Sequence, residues 1–212
     1  MFDTASIRDS FECRWHEMRR GSLLEGFPEY VGHERRSVEI RLFEIGIVPG
    51  LLQTPEYAQA LATSDVRRGS VTRQQAYERV SLLAERQATV ARQNPLLVVV
   101  PDESCIRRPV GGRAAMDAQL QQLVAFADSP QTMPRVAPFS IGERGSFDLP
   151  ICLSTLADRS VIAYAESHLR GLVERESSAV RPLLARFLQL QAECLSQADS
   201  ASMIEQARKG MP

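Results

Sequence analysis

Tyr164 and Glu166 stand two residues apart in the strand-like string Val161 to Glu166. In an extended chain that spacing puts both side chains on one face, where a phenol and a carboxylate can orient a ligand or exchange a proton with it. On an edge strand open to water they would do neither. Glu103 follows the apolar run of residues 96–100 and precedes the Arg107-Arg108 doublet. Guanidinium groups in a loop behind a buried strand can grip a carboxylate or phosphate with two parallel hydrogen bonds. The alternative for this doublet is a solvated loop. Gln53, in Pro49-Gly50-Leu51-Leu52-Gln53-Thr54, offers an amide beside the start of a helix. The ligand-binding set is therefore Gln53, Arg107, Arg108, Tyr164 and Glu166. If the chain catalyses a reaction, Glu103, Tyr164 and Glu166 are the candidates for proton transfer, with Arg107 holding an anionic group. Gln53, Glu103, Arg107, Tyr164 and Glu166 are expected to converge on one cavity.

Composition narrows the classes of function. The 212 residues carry 25 basic and 26 acidic side chains, a net charge of -1, which argues against direct nucleic-acid binding through unopposed lysine and arginine. Of the remaining doublets, Arg19-Arg20 and Arg35-Arg36 are diluted by nearby acids, and Arg67-Arg68 reads as a solvated loop. No G-x-G-x-x-G, G-x-x-x-x-G-K-[ST], H-E-x-x-H or G-x-S-x-G string occurs, so neither a nucleotide cofactor, a zinc-protease site nor a hydrolase elbow is expected. His16, His33 and His168 are isolated from one another and from the cysteines, a spacing unlike a metal site, and nothing in the sequence supports haem ligation. The cysteines, Cys13, Cys105, Cys152 and Cys194, form no C-x-x-C pair and read as buried, reduced thiols. No cofactor and no metal are expected. No apolar run approaches the roughly 20 residues needed to cross a bilayer, and the polar first ten residues are no secretory signal, so the expected compartment is the cytoplasm.

Several elements must position these side chains. A charged helical segment at 11–20, with Trp15 in it, precedes a helix at about 29–37. Val38, Ile40 and Leu42 alternate with Glu39, Arg41 and Phe43 as a half-buried strand. Thr54-Pro55 has the chemistry of an N-cap followed by a first-turn proline, which predicts a helix over 55–62 and a loop over 65–70. A long amphipathic helix from about Thr72 stops at Asn94-Pro95. Residues 96–100 have no polar side chain and read as a strand buried on both faces. A helical turn at 101–105, a loop at 107–112 and a helix at 113–127 follow. Strands are expected at 135–139, 151–156 and 160–165, the last two joined by a turn at Asp158, and helices at 178–195 and 198–209. This order predicts a single α+β domain with a mixed β-sheet of about five strands packed with helices, closing on C-terminal helices, rather than a regular βαβ repeat.

Taken together, several strings resemble one family. They are V-P-G-L-L-Q-T-P-E-Y-A at 48–58, R-V-S-L-L-A-E-R-Q at 79–87, V-P-D-E-S-C-I-R-R-P-V-G-G at 100–112, and V-A-P-F-S-I-G at 136–142. Shorter matches occur at 116–123 and 161–166, where the family's valine-tyrosine-x-glutamate is met by Tyr164 and Glu166, and in the closing stretches 195–196 and 200–207. The family is an actinobacterial domain of unknown function that follows an Xre-type helix-turn-helix in proteins read as transcriptional regulators. The resemblance spans about 30–209 and implies a domain that senses a ligand or a partner. Residues 1–29, with two glycines, a proline and balanced charge, are expected to be a helical extension and no DNA-binding module, since a helix-turn-helix needs several helices. The expectation is thus a stand-alone small-molecule-binding domain of sensor or effector type, not itself DNA-binding, whose partner is a small molecule or, by the family's setting, a regulator or small protein. The other class is a cofactor-independent enzyme of specialised metabolism, catalysing a cyclisation, elimination or rearrangement in the same pocket.

Overall fold

A computed structural model describes residues 25–145, 149–166 and 171–211. The helix expected at 11–20, with Trp15, His16 and Cys13, lies outside them, as does His168.

The strands form because their side chains have apolar neighbours on both sides. In β1 (Ser37–Glu44) Ile40, Leu42 and Phe43 are buried while Val38 is exposed. In β2 (Leu96–Pro101) every residue after Leu96 is buried. With β3 (Thr132–Pro134), β4 (Ile151–Leu156), β5 (Val161–Glu166) and β6 (Gly171–Glu174) they make one mixed sheet in the order β3-β2-β1-β4-β5-β6. β1, β2 and β3 pair in parallel; β4 runs antiparallel to β1, and β5 and β6 continue antiparallel. The helices preceding and joining the strands are α1 (Phe27–Glu34), α2 (Pro55–Arg67), α3 (Arg73–Gln93), α4 (Glu103–Arg107) and α5 (Gly112–Ala127). The chain closes on α6 (Ser177–Glu193) and α7 (Gln197–Lys209). This is the expected single α+β domain, with six strands instead of about five.

The sheet has two covered faces. Ile40, Leu42, Leu97, Val99, Cys152 and Tyr164 point into a core completed by α1, α2, α3, α5 and α7. Phe43, Val98, Val100, Ile151, Leu153 and Ala163 point the other way, where α6 lays Val180, Phe187 and Leu190 against them.

Several boundaries differ from expectation. The segment expected as a strand at 135–139 keeps hydrogen bonds to β2 on one edge, from Arg135 N–H to the Val99 carbonyl and from Ala137 N–H to the Pro101 carbonyl. Its other edge is taken by the C-terminal helices and not by a strand, with Val136 N–H donating to the Ser200 hydroxyl (2.9 Å) and Leu195 N–H donating to the Val136 carbonyl (3.0 Å). Only an isolated bridge, Asp102 with Ala137, remains, and a 3₁₀ stretch, Phe139–Arg144, follows. β3 lies just before it. β6 was not foreseen, because four residues are too few to display a period. α1 starts and ends earlier than expected: Gly26, at φ 86°, turns the chain into it, and Pro28 suits its first turn. α2 also runs through Asp65 instead of ending at 62.

The caps read from the sequence are present. Thr54 Oγ1 accepts from Tyr57 N–H at 3.2 Å ahead of Pro55, and Asn94 ends α3 in the left-handed conformation at φ 49°. Thr54→Ala is expected to lower stability by about 1 kcal/mol, read as a shift in the urea midpoint without a change in slope. A loss under a few tenths would mean that Gln119, which accepts from Thr54 N–H at 2.8 Å, holds this helix start alone.

Candidate functional site

Register brings two carboxylates to one end of the sheet. Phe43 and Ala165 both pair with Ile151, so Glu44 and Glu166, one residue further along β1 and β5, flank Pro150. Alternation places them on the same face as Leu42, Cys152 and Tyr164, which lie in one cross-strand row. A cavity of about 240 Å³ opens there. α1 supplies Phe27 and Tyr30, α3 supplies Arg86, and the 3₁₀ turn Gly50–Leu52 closes one side.

The cavity wall is a connected polar and aromatic group. The rings of Tyr30 and Tyr164 stack at 4.2 Å and 5°, with Phe27 tilted against both. Tyr30 donates to Glu34 Oε2 (2.8 Å), and Arg86 grips the same carboxylate with Nε on Oε1 (2.9 Å) and Nη2 on Oε2 (2.7 Å). The Glu34 side chain is 1% exposed, so this pair is a buried, bidentate one. Burial works against the Arg86 charge, but Glu34 outweighs it and the guanidinium stays protonated. Arg86 also lies over the faces of Phe27 (5.0 Å) and Tyr30 (5.5 Å). Across the row, Tyr164 donates to Glu166 Oε1 at 2.5 Å. Gly171 on β6 is required beside it, since a Cβ there would run into the Tyr164 ring and hydroxyl.

Desolvation sets the protonation states. Burial, with the Glu166 charge adding to it against a hydrogen bond from Ile45 N–H, pushes Glu44 from 4.5 to about 7. Burial also raises the Cys152 thiol to about 12 and lifts Tyr30 and Tyr164 above the ordinary phenol value. Near neutral pH, Glu44 is therefore the group here that changes charge, while both phenols and the thiol hold their protons.

The expected five-residue convergence is not what the structure holds. Tyr164 and Glu166 line this cavity; Gln53, Glu103, Arg107 and Arg108 do not. Glu103 and Arg107 are four apart in α4 and pair with each other at 2.5 Å. The second Glu103 oxygen accepts from Phe139 N–H (2.8 Å). Although burial would raise its pKa, the amide and the guanidinium hold it below the ordinary range. Glu103 is thus a committed structural carboxylate and a weak base. Arg108 is exposed, its guanidinium beside Gly46. Gln53 donates to the Val48 carbonyl at 2.7 Å and lines a second cavity of about 390 Å³. That cavity also includes Gln87 and Gln122, whose amides are bonded to the carbonyls of Gly50, Leu52 and Gln53. Leu51 borders both spaces. The Pro49–Thr54 string is accordingly the partition between two cavities, pinned by glutamines.

Tyr30, Glu34, Glu44 and Arg86 went unread in the sequence. A signal existed for the first two, since Tyr30 and Glu34 are four apart on a helix and must meet. Nothing local marks Arg86 or Glu44. Among the described residues no group of three or more histidines, cysteines and carboxylates is placed to hold a metal ion. Cys105, Cys152 and Cys194 are buried and free, and among the described residues no helix is long and apolar enough to cross a membrane.

Residues 27–206 match a family model described as Domain of unknown function (DUF5753). The chain belongs to the DUF5753 family. The matched span begins at the first residue of α1 and ends within α7, so every residue named in the first cavity lies inside the DUF5753 domain. A search of curated proteins finds no match to the chain.

Proposed function

We propose that this protein is a small-molecule-binding domain of sensor or effector type, and that its ligand enters the cavity at the carboxyl ends of β1 and β5. One observation carries the reading. A cavity at the end of the sheet is walled by three aromatic rings and carries two carboxylates, one of them half-buried, that no cation among the described residues pairs with. Ligand sites are concave, mostly apolar, and hold a few polar groups that fix orientation. The resemblance to a domain that follows an Xre-type helix-turn-helix supports a regulatory output, delivered through a regulator or small partner protein rather than through direct contact with DNA.

The reading is tested by a thermal-shift screen of small molecules on the purified chain, repeated on Ile47→Trp, which puts a large ring into the cavity wall. Compounds at about 100 times their Kd should stabilise the wild type by about 2.7 kcal/mol, and Ile47→Trp should abolish that gain. Stabilisation that survives Ile47→Trp would move the site elsewhere. A screen without a single stabilising compound would end the proposal.

A second reading, a cofactor-independent enzyme, draws on Glu44. A carboxyl titrating near 7 in a partly dry cavity has the pKa of a general base at neutral pH. The Tyr164–Glu166 pair beside it would hold the substrate. Turnover of a bound compound, lost in Glu44→Gln while binding remains, would favour this reading over the sensor.

A further inference from the structure

The charges around the first cavity do not balance. Glu44 and Glu166 both line it. The cation among its described lining residues is Arg86, and that fork is already closed on Glu34. Glu166 accepts from Tyr164 on one oxygen, and Glu44 accepts a long 3.4 Å contact from Ile45 N–H on one oxygen. The other oxygen of each takes no hydrogen bond from the described residues. Among the described residues the cavity thus offers charged acceptors and no free charged donor. Its remaining walls include the rings of Phe27, Tyr30 and Tyr164 and the apolar side chains of Leu42, Ile47 and Leu51. Arg86 over Phe27 and Tyr30 shows that these rings already serve as a platform for a cation.

We propose that the cavity takes a primary ammonium ion carried on an apolar or aromatic body, with the ammonium bound between Glu44 and Glu166 and the body against Phe27, Ile47 and Leu51. The inference rests on the small-molecule reading above and adds the class of ligand. An ammonium group has three N–H donors and no acceptor, the complement of two under-used carboxylates. A carboxylate or phosphate ligand would meet like charge in a partly dry space. A neutral alcohol would leave at least one carboxylate without a donor.

Binding of such an ion is linked to the Glu44 proton. Among the described residues, the titratable groups whose charge reaches Glu44 from packed elements are Glu166 on β5, Cys105 on α4 and Tyr57 on α2. The last two stay protonated near neutral pH because burial raises both. With Glu44 titrating at about 7, a pocket at pH 6 is mostly protonated there, and a cation must expel that proton. Affinity should therefore fall about tenfold from pH 8 to pH 6.

Phenethylamine, 2-phenylethanol and 3-phenylpropionate are similar in shape and differ in charge, and calorimetry compares them on the full chain. Phenethylamine is expected to bind at pH 8 at least about tenfold more tightly than either of the others. Glu44→Gln and Glu166→Gln should each weaken it at least about tenfold, and Glu44→Gln should erase its pH dependence. Circular dichroism and melting curves confirm that each variant folds. If 3-phenylpropionate or 2-phenylethanol binds as tightly, and Ile47→Trp blocks it, the ammonium class is overturned while the cavity remains a ligand site. If phenethylamine binds without regard to either glutamate, or does not bind, the inference is overturned, and the thermal-shift screen decides the cavity's role separately.

Discussion

Arg86→Met is expected to lower the stability of this protein by about 3–5 kcal/mol. The substitution keeps most of the side chain's bulk but removes the fork that holds Glu34, which is 1% exposed and otherwise bonded only to the Tyr30 hydroxyl among the contacts described above. A buried carboxylate without its cation has lost its solvation and gained nothing in exchange. Melting should drop by roughly 10 °C or more for a domain of this size. The loss should shrink as pH falls, because the stranded carboxyl can then take up a proton. A double variant, Glu34→Leu with Arg86→Met, should recover most of the loss, since apolar groups of similar volume can replace a buried ion pair at little cost. A single variant within 1 kcal/mol of the wild type would show that water reaches Glu34 and that the pair does not anchor α1 to α3.

The second large effect is one of pH. Glu44 titrates at about 7 in the folded chain against 4.5 for an ordinary glutamate. Between those values the folded state keeps a proton that the unfolded state has released. Stability from this group is therefore fully present below about 4.5 and is lost as pH rises through 7. The shift corresponds to about 3 kcal/mol. Glu44→Gln keeps the shape of the protonated form and cannot ionise. Its melting temperature should match the wild type near pH 4 and exceed it at pH 8, by an amount equivalent to as much as about 3 kcal/mol. Parallel profiles for the two proteins from pH 5 to 8 would place Glu44 in water. A gain in stability together with the loss of phenethylamine binding would be a trade between stability and function at one residue.

Both predictions concern groups in or behind the wall of the same cavity. Glu34, Arg86 and Tyr30 are satisfied among themselves and form a rigid base. Glu44 and Glu166 line the same cavity and keep acceptors unmatched within the described chain. Such a division suits a binding site, where rigid packed groups hold a few others in readiness.

Most of the frame was legible in the sequence because its signals are local. A threonine before a proline caps α2, an asparagine before a proline ends α3, and a run of side chains with nothing polar makes β2 a strand buried on both faces. Each of these depends on a few neighbouring residues, whose geometry the backbone fixes. The pairing of Tyr164 with Glu166 is local for the same reason, since two residues of an extended chain separate same-face neighbours. Arg107 and Glu103 lie outside the first cavity through equally local physics: four apart on a helical turn, they pair with each other. The tertiary structure alone decided the rest. It set β1 and β5 against β4 in a register that brings Glu44 and Glu166 to one rim. It also laid α1 and α3 over them, so that burial, which no local pattern records, raised one carboxyl to about 7 and left the other exposed.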